Sequence, residues 1–311
     1  MVQALTVSEL LAFLDLGSNA VRCLLVRVIP RVGFEVLRQE RVQTRLGGGH
    51  PGTLSQASIK ETLVSVRSFL REVRRKEQLR VLAIATAAVR EAINREDLLA
   101  PLRQAEGVEV RVLSGEEEAR LGAFAALRSL SFRHGAVVDL GGSSLQITHV
   151  RDGNIRTTAS LPLGAVRTTR QFLPNDPPTE REVLALRAEI KKQIAHFLPA
   201  AREGQEMIGL GGAVRTLAAM HLAALDRLGQ SQQGFDLQGS DVTRIREQLE
   251  KLSIRDRCAL PGLKAERADI ILAGTVVVEE LMALGRYKSL TVCKGGVRQG
   301  FLLREVFNGG A

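Results

Sequence analysis

Short apolar runs joined by glycine turns open the chain. Residues 11–14 lead into an Asp-Leu-Gly turn at 15–17, and a second apolar run follows at 21–29. Both runs are too short to favour helix, so they predict two strands joined by a tight turn. A third strand is predicted at 34–43, before a glycine-rich break.

Helical periodicity begins at residue 55, and apolar residues recur on one face as far as residue 78. The pattern predicts further strands at 81–85, 108–113, 136–138, 145–150, 207–210 and 290–293. It predicts further helices at 88–93, 95–105, 116–130, 180–198, 213–225, 242–252, 268–284 and 297–306. This alternation of strands and helices is typical of an α/β fold.

The opening pattern returns later in the chain. FLDLGSNAVR, around Asp15, aligns with VVDLGGSSLQ, around Asp139, at an offset of 124 residues. An offset of this size indicates a duplication at the scale of a domain rather than a short repeat.

The length of 311 residues also suits two domains. We predict one domain over 1–130 and a second over 131–297, with the last helix, about 298–311, packing back on the first.

Charge and composition narrow the class of partner. The formal net charge is +9, which favours an anionic partner, although a solvated surface rich in Arg is an equal alternative. Aromatic residues make up only 4% of the chain, so a platform for stacking bases is not expected, and neither is a nucleic-acid partner. The three cysteines and five histidines show no metal-binding spacing.

The hydropathy pattern contains no run of the ~18–20 apolar residues that span a bilayer. The N-terminus lacks the basic region and cleavage signal of a secretory peptide. We therefore expect a cytoplasmic protein with no membrane partner. The oligomeric state is left open, with a homodimer among the options.

The two Asp-Leu-Gly turns are the first candidates for chemistry. Successive amides in such a turn can form a nest that binds an anion, and hydroxyl or amide side chains can add donors. The side chains in position to do so are Ser18, Asn19, Ser143 and Ser144. Asp15 and Asp139 would repel a phosphate unless Mg²⁺ lay between them. The alternative is a pair of ordinary hairpin turns, which the matched positions make less attractive.

Three further features have competing explanations. Glu118 follows a Ser-Gly-Glu-Glu helix start at 114–117 that forms a capping box on its own, so Glu118 is available to activate water. Arg90 suits a phosphate or a solvated helix face equally well. Gly211 and Gly212 lie between a strand and a helix, where they form either a phosphate cradle or an ordinary turn.

These residues together resemble the exopolyphosphatase / guanosine pentaphosphate phosphohydrolase family. The resemblance runs from Leu14 to about Leu303. It rests on DLGSN at 15–19, LGGG at 46–49, ATAAVR at 85–90, SGEEEAR at 114–120, DLGGSS at 139–144, LPLGAVR at 161–167, GLGGAVRTL at 209–217, RADII at 267–271 and GGVRQG at 295–300. It implies two ribonuclease-H-like domains of the actin and sugar-kinase superfamily, with a cleft between them.

The resemblance also implies roles for individual residues. Glu118 resembles the catalytic glutamate that positions water. Asp139 resembles a second essential carboxylate associated with Mg²⁺, and Asp15 resembles its counterpart in the first turn. The residues that resemble the phosphate-contacting set are Ser18, Asn19, Arg90, Gly141, Gly142, Ser143 and Ser144.

The second turn departs from the family pattern DxGGGSTE. Ser143 replaces the third glycine, which requires an ordinary φ there, and Leu145 replaces the threonine. Gln146 replaces an acid, which removes a charge that helps to hold a metal. No His-Asp dipeptide marks the extra domain of longer members.

The predicted function is therefore Mg²⁺-dependent release of the terminal phosphate from inorganic polyphosphate. One alternative is a guanosine pentaphosphate phosphohydrolase, and another is a catalytically weak protein that binds polyphosphate or a guanosine phosphate. A third is a phosphotransferase of the sugar-kinase type.

Overall fold

The computed structural model describes residues 9–29, 32–48, 50, 52–74, 79–198 and 200–308. Two units divide the chain, each built on its own sheet: unit 1 is Met1–Ser114 with Arg298–Ala311, and unit 2 is Gly115–Val297. Gly49 of the LGGG motif and positions 75–78 of the first predicted helix lie outside the described residues.

The sheet of unit 1 has five strands in the order β3-β2-β1-β4-β5. They are β1 (Glu9–Leu16), β2 (Val21–Ile29), β3 (Gly33–Val42), β4 (Leu79–Ala85) and β5 (Val110–Val112). The first three are antiparallel neighbours, whereas β1, β4 and β5 run parallel. The C-terminal ends of β1 and β4 therefore meet at one edge, where Asp15 lies.

Four helices cover this sheet: α1 (Gln56–Val73), α2 (Ala87–Glu91), α3 (Glu96–Glu106) and the C-terminal α11 (Val297–Asn308). Ser55 caps α1 through its side chain, which accepts a hydrogen bond from the Ser58 amide. Phe301 of α11 packs its ring 5.5 Å from that of Phe13, and Arg80 on β4 pairs with Glu305. These contacts fix the last helix to the first sheet.

Unit 2 repeats the same strand order. Its sheet reads β10-β11-β9-β6-β7-β8, so β8-β7-β6-β9-β11 corresponds to the five strands of unit 1. The strands are β6 (Gly135–Leu140), β7 (Leu145–Arg151), β8 (Asn154–Leu161), β9 (Glu206–Gly211), β10 (Asp236–Gln238) and β11 (Ser289–Val292). The predicted duplication is therefore present in the backbone as well as in the sequence.

Helices lie on both faces of the second sheet. They are α4 (Gly115–Ser129), α5 (Ala165–Phe172), α6 (Glu180–Ile194), α7 (Gly212–Ala224), α8 (Gly239–Glu250), α9 (Ile254–Arg257) and α10 (Ile271–Gly285). Nearly all of α10 is buried, because its sequence is apolar apart from Thr275 and the ion-paired Glu279 and Glu280. It packs against α5, α6, α7 and α8 and forms the centre of the larger core.

Some elements depart from the hydrophobic pattern. β8, α5 and β10 are not predicted from it, because each is short and carries polar residues at most positions. The compact units divide after Ser114 rather than after residue 130, since α4 packs on β6, β7 and β8. No helix among the described residues is long and apolar enough to cross a membrane.

Candidate active site

The first Asp-Leu-Gly turn, residues 15–20, joins β1 to β2. Two of its carbonyl oxygens are hydrogen-bonded to the segment at 45–47. The Ser18 carbonyl accepts from the Gly47 amide at 2.7 Å, and the Asn19 carbonyl accepts from the Arg45 amide at 3.2 Å. A Cβ at Gly17 would come within 2.9 Å of the Ala20 carbonyl oxygen, so only glycine fits the turn.

The carboxylate of Asp15 is surrounded by positive charge. Arg22 lies directly across the β1–β2 ladder and brings Nη1 to 3.7 Å from Oδ2. Arg298, at the start of α11, brings Nη1 to 3.9 Å from the same oxygen. The charge of Asp15 is thus largely balanced by two guanidinium groups of its own unit.

Asn19 presents a donor that the described residues do not use. Its Oδ1 receives only a long contact from Gln43 Nε2 at 3.5 Å, whereas Nδ2 is buried without a hydrogen-bond acceptor among them. A buried amide nitrogen without an acceptor is costly, so this group suits an anionic oxygen. Ser18, beside it, is buried.

The second turn, residues 141–144, joins β6 to β7 and is held more completely. The first turn of α5 donates three amides to it: Ala165 to the Gly141 carbonyl at 3.0 Å, then Val166 and Arg167 to the Gly142 carbonyl at 2.8 and 3.1 Å. Arg167 also donates from Nε to the Ser143 carbonyl at 2.9 Å. The carbonyl oxygens therefore point toward α5.

The amides of this turn are used unequally. Gly141 donates its amide to the Ser144 carbonyl at 3.0 Å, so it closes the turn and is not available to a ligand. In the part of the chain that the structure describes, the amides of Gly142, Ser143 and Ser144 donate to no other residue. Ser143 does not have a positive φ, so the serine is accommodated without strain. Three neighbouring donors make an anion nest.

Asp139 lies at the end of β6 in a cradle of glycines. Its Oδ2 is 3.3 Å from the position that a Cβ would take at Gly122, and 3.6 Å from that at Gly296. Its Oδ1 is 3.0 Å from the corresponding position at Gly211. Side chains at these three positions would crowd the carboxylate. Glycine at all three positions therefore lets the backbone approach both carboxylate oxygens closely.

Glu118 is on α4, the helix whose Gly122 contacts Asp139. Gly122 touches Asp139 and stands one helical turn, about 6 Å along the axis, after Glu118 on the same helix face. Thr148 on β7 donates to the Ala119 carbonyl at 3.3 Å and seats this end of α4 on the sheet. Glu118 is buried, with only 4% of its surface exposed.

The glycine pair at 211–212 joins β9 to α7 as predicted. Gly211 has φ near +95°, which favours glycine, and a Cβ there would overlap the Leu140 carbonyl. The guanidinium of Arg267 lies against Gly212, where a Cβ would overlap it. The N-terminus of α7 and the guanidinium group of Arg267 therefore lie together. Both are positively polarised or charged, so the position favours the binding of an anion.

Arg90 is at the end of α2 in unit 1. Its Nη1 donates to the Leu113 carbonyl at 2.8 Å, and its side chain is 24% exposed. The guanidinium is therefore anchored to the backbone of unit 1 while part of it stays near the surface.

The carboxylates of the two turns fit Mg²⁺ only if the substrate and water supply most of its ligands. Within the described ranges, no group of three or more His, Cys, Asp or Glu side chains could hold a metal on its own. Mg²⁺ needs only one or two carboxylates when phosphate oxygens and waters complete its octahedron. Asp139, at the end of β6 and just before the amide donors at 142–144, is a carboxylate of the kind that could serve as one such ligand.

Several groups at the two turns are not assigned a role by the sequence reasoning. Arg167 and Arg267 belong to the quoted LPLGAVR and RADII motifs, and Gly296 belongs to GGVRQG. These motifs were a signal that the residues approach the site. Their contacts depend on long-range packing, which spacing along the chain does not reveal.

Comparison with known proteins places this geometry in context. A model of the Ppx/GppA phosphatase family matches residues 25–308. Exopolyphosphatase 1 of Mycobacterium tuberculosis is 29% identical over 303 residues, which cover 95% of this chain and 88% of that protein.

Solved structures of similar proteins have a similar fold. The Aquifex aeolicus member of the Ppx/GppA family superposes with a TM-score of 0.82 at 26% identity, covering 98% of this chain and 100% of that one. An exopolyphosphatase from Cytophaga hutchinsonii gives a TM-score of 0.85 at 22% identity, covering 97% and 98% of the two chains. These likenesses confirm the predicted α/β fold of the actin and sugar-kinase type.

Proposed function

We propose, from the premise that the chain belongs to the Ppx/GppA phosphatase family, that it is an exopolyphosphatase releasing orthophosphate from the end of inorganic polyphosphate. The observation that carries the proposal lies within unit 2: a buried Glu118 stands one helical turn from Gly122, which contacts the carboxylate of Asp139, and Asp139 is followed by the amide donors at 142–144. The named exopolyphosphatase relatives support the choice of substrate.

The chain's own groups divide the reaction between them. The amides at 142–144 and the hydroxyl of Ser144 hold the oxygens of the terminal phosphoryl group. Glu118 orients a water and accepts its proton as the water oxygen bonds to phosphorus and the bridging P–O bond breaks. The shortened chain leaves with one phosphate fewer.

The chain carries other donors that suit phosphate oxygens. Asn19 Nδ2 needs an acceptor and Ser18 stands beside it, so both suit phosphate oxygens. Arg90, Gly211 and Gly212 are retained as phosphate-binding candidates. The surplus of basic residues, +9 over the whole chain, suits a long polyanion.

Mg²⁺ is the proposed cofactor, and Asp139 is its principal ligand in this proposal. When bound, the ion would supply positive charge to the phosphoryl oxygens. Asp15 already faces two guanidinium groups, so its predicted role as a second ligand should contribute less.

The test is phosphate release from long-chain polyphosphate with Mg²⁺, run beside tripolyphosphate and guanosine pentaphosphate. We expect orthophosphate from polyphosphate, and none from a Glu118→Gln variant. Release from guanosine pentaphosphate but not from polyphosphate would overturn the choice of substrate. Tight binding of polyphosphate by calorimetry with no release, whatever the divalent metal, would favour a binding protein instead.

A further inference from the structure

Gln146 occupies the position directly across the β6–β7 ladder from Asp139. It is buried, with 3% of its surface exposed, and lies at the start of β7 just after the second turn. Its counterpart in the first sheet is Arg22, which pairs with Asp15. The two turns thus place different side chains opposite their aspartates.

The amide nitrogen of Gln146 is fully engaged. Nε2 donates to Ser144 Oγ at 2.7 Å and to Ser160 Oγ, on β8, at 3.2 Å. A primary amide nitrogen carries two hydrogens, so each hydroxyl receives one of them. Both contacts are within buried or partly buried surroundings, where they hold the side chain in one orientation.

This arrangement determines what Ser144 can do. A hydroxyl oxygen that accepts from Gln146 must direct its own proton elsewhere. Within the described residues, Ser144 Oγ donates to no protein group. The hydroxyl stands at the end of the nest formed by the amides at 142–144.

We propose that Gln146 is a positioning residue that turns the Ser144 hydroxyl proton toward the bound terminal phosphate. This inference rests on the proposed function, because it names how one donor of that site is oriented. It also explains why an amide is useful opposite Asp139. A carboxylate at position 146 would accept a hydrogen bond from Ser144, so the hydroxyl proton would point away from the phosphate and the site would lose one donor.

The experiment is a double-mutant cycle with Gln146→Glu and Ser144→Ala, using tripolyphosphate as substrate. Gln146→Glu should raise KM about 10- to 100-fold with a smaller change in kcat, since a hydrogen bond to a charged oxygen is lost. Ser144→Ala should raise KM by a similar factor. In the Ser144→Ala background, Gln146→Glu should add less than about threefold.

The matched control is Gln248→Glu, which adds the same charge on an exposed position of α8 and should leave KM unchanged. If Gln146→Glu raises KM equally with and without the Ser144 hydroxyl, the added charge explains the effect and the proposal is overturned. Gln146→Met serves if the glutamate variant does not fold. It removes the donor without adding charge, and its rise in KM should likewise vanish in the Ser144→Ala background.

A binding measurement separates this inference from the proposed function. Calorimetric titration with tripolyphosphate should rank the variants as KM does. If the wild-type protein binds tripolyphosphate but releases no phosphate, the proposed function fails while the cycle in Kd still tests Gln146. If Kd is the same for wild type and Gln146→Glu, the inference about Gln146 fails while the activity stands.

Discussion

The two Asp-Leu-Gly turns share a backbone frame but differ around their carboxylates. Each joins the first two strands of its sheet, and each has its carbonyl oxygens tied to a following segment, at 45–47 in unit 1 and at α5 in unit 2. Asp15 faces Arg22 and Arg298, whereas Asp139 faces glycine positions and Gln146. The two turns therefore share a backbone arrangement, but different side chains lie opposite their aspartates.

This difference assigns distinct tasks to the two turns. An aspartate balanced by guanidinium groups has less need of a metal, and its arginines can also meet an anion. An aspartate that precedes a row of phosphate-binding amides can share a hydrated cation with the phosphate oxygens. Glu118 is also on the helix that contacts Asp139 through Gly122, so we place the chemistry at the second turn.

The largest effect is expected at Glu118, because it would accept the proton of the attacking water. Glu118→Gln should lower kcat by about 10²- to 10⁴-fold while the protein stays folded. The control is Glu116→Gln, an exposed residue two positions earlier on α4 that pairs with Arg120. Steady-state kinetics and thermal melting check the prediction. An equal loss of kcat in both variants would show that Glu118 has no specific catalytic role.

An intermediate effect is expected at Gly211, whose Cβ position meets both Leu140 and Asp139. Gly211→Ala should lower the free energy of unfolding by more than about 2 kcal/mol, since it combines a positive φ with overlap on the backbone. Gly204→Ala is the matched control, because Gly204 has φ near +76° and open space around it. If urea unfolding shows the same loss of unfolding free energy in both variants, the residues around Gly211 and Asp139 are not tightly packed.

The smallest effect concerns the framework of unit 2. Glu279 on α10 accepts from Thr243 and Arg246 on α8 and pairs with Arg187 on α6. Burial tends to raise the pKa of Glu279, but those hydrogen bonds and the charges of Arg187 and Arg246 outweigh it and lower the pKa below its usual value. Its stabilisation is therefore present above the unfolded pKa, near 4.5, and is lost as the pH falls through the folded value.

Glu279→Gln should accordingly cost about 1–2 kcal/mol of unfolding free energy at pH 7. The difference in unfolding free energy between wild type and this variant should become smaller when unfolding is repeated below pH 4. Glu247→Gln, on the exposed side of α8, should cost less than about 0.5 kcal/mol at either pH. A gap for Glu279→Gln that stays constant with pH would mean that its ionisation does not support the second sheet.

Much of this framework follows from sequence pattern. The apolar runs at 11–14 and 21–29 predicted β1 and β2, and the matched turns predicted the duplication seen in the two strand orders. Local periodicity suffices here because each strand buries its own apolar positions. α5 was not predicted, since its position depends on amides bonded to a turn more than 20 residues earlier.

In the site, too, motifs predicted individual residues, whereas the contacts of those residues depend on long-range packing. Glu118 and Asp139 were assigned through motifs, but the glycines that surround Asp139 come from α4, β9 and the segment before α11. Gln146 was noted as a missing acid, whereas its bonds to Ser144 and Ser160 depend on the register of three strands. Register and helix packing are set by the whole core, so no local window contains them.

The asymmetry of the two aspartates is tested most directly by a Mg²⁺ titration of Asp139→Asn and Asp15→Asn, read both as phosphate release and as calorimetric Mg²⁺ binding. We predict that Asp139→Asn weakens Mg²⁺ affinity by more than about tenfold, whereas Asp15→Asn changes it by less than about threefold. A loss in Asp15→Asn as large as that in Asp139→Asn would contradict the assignment of the metal to the second turn.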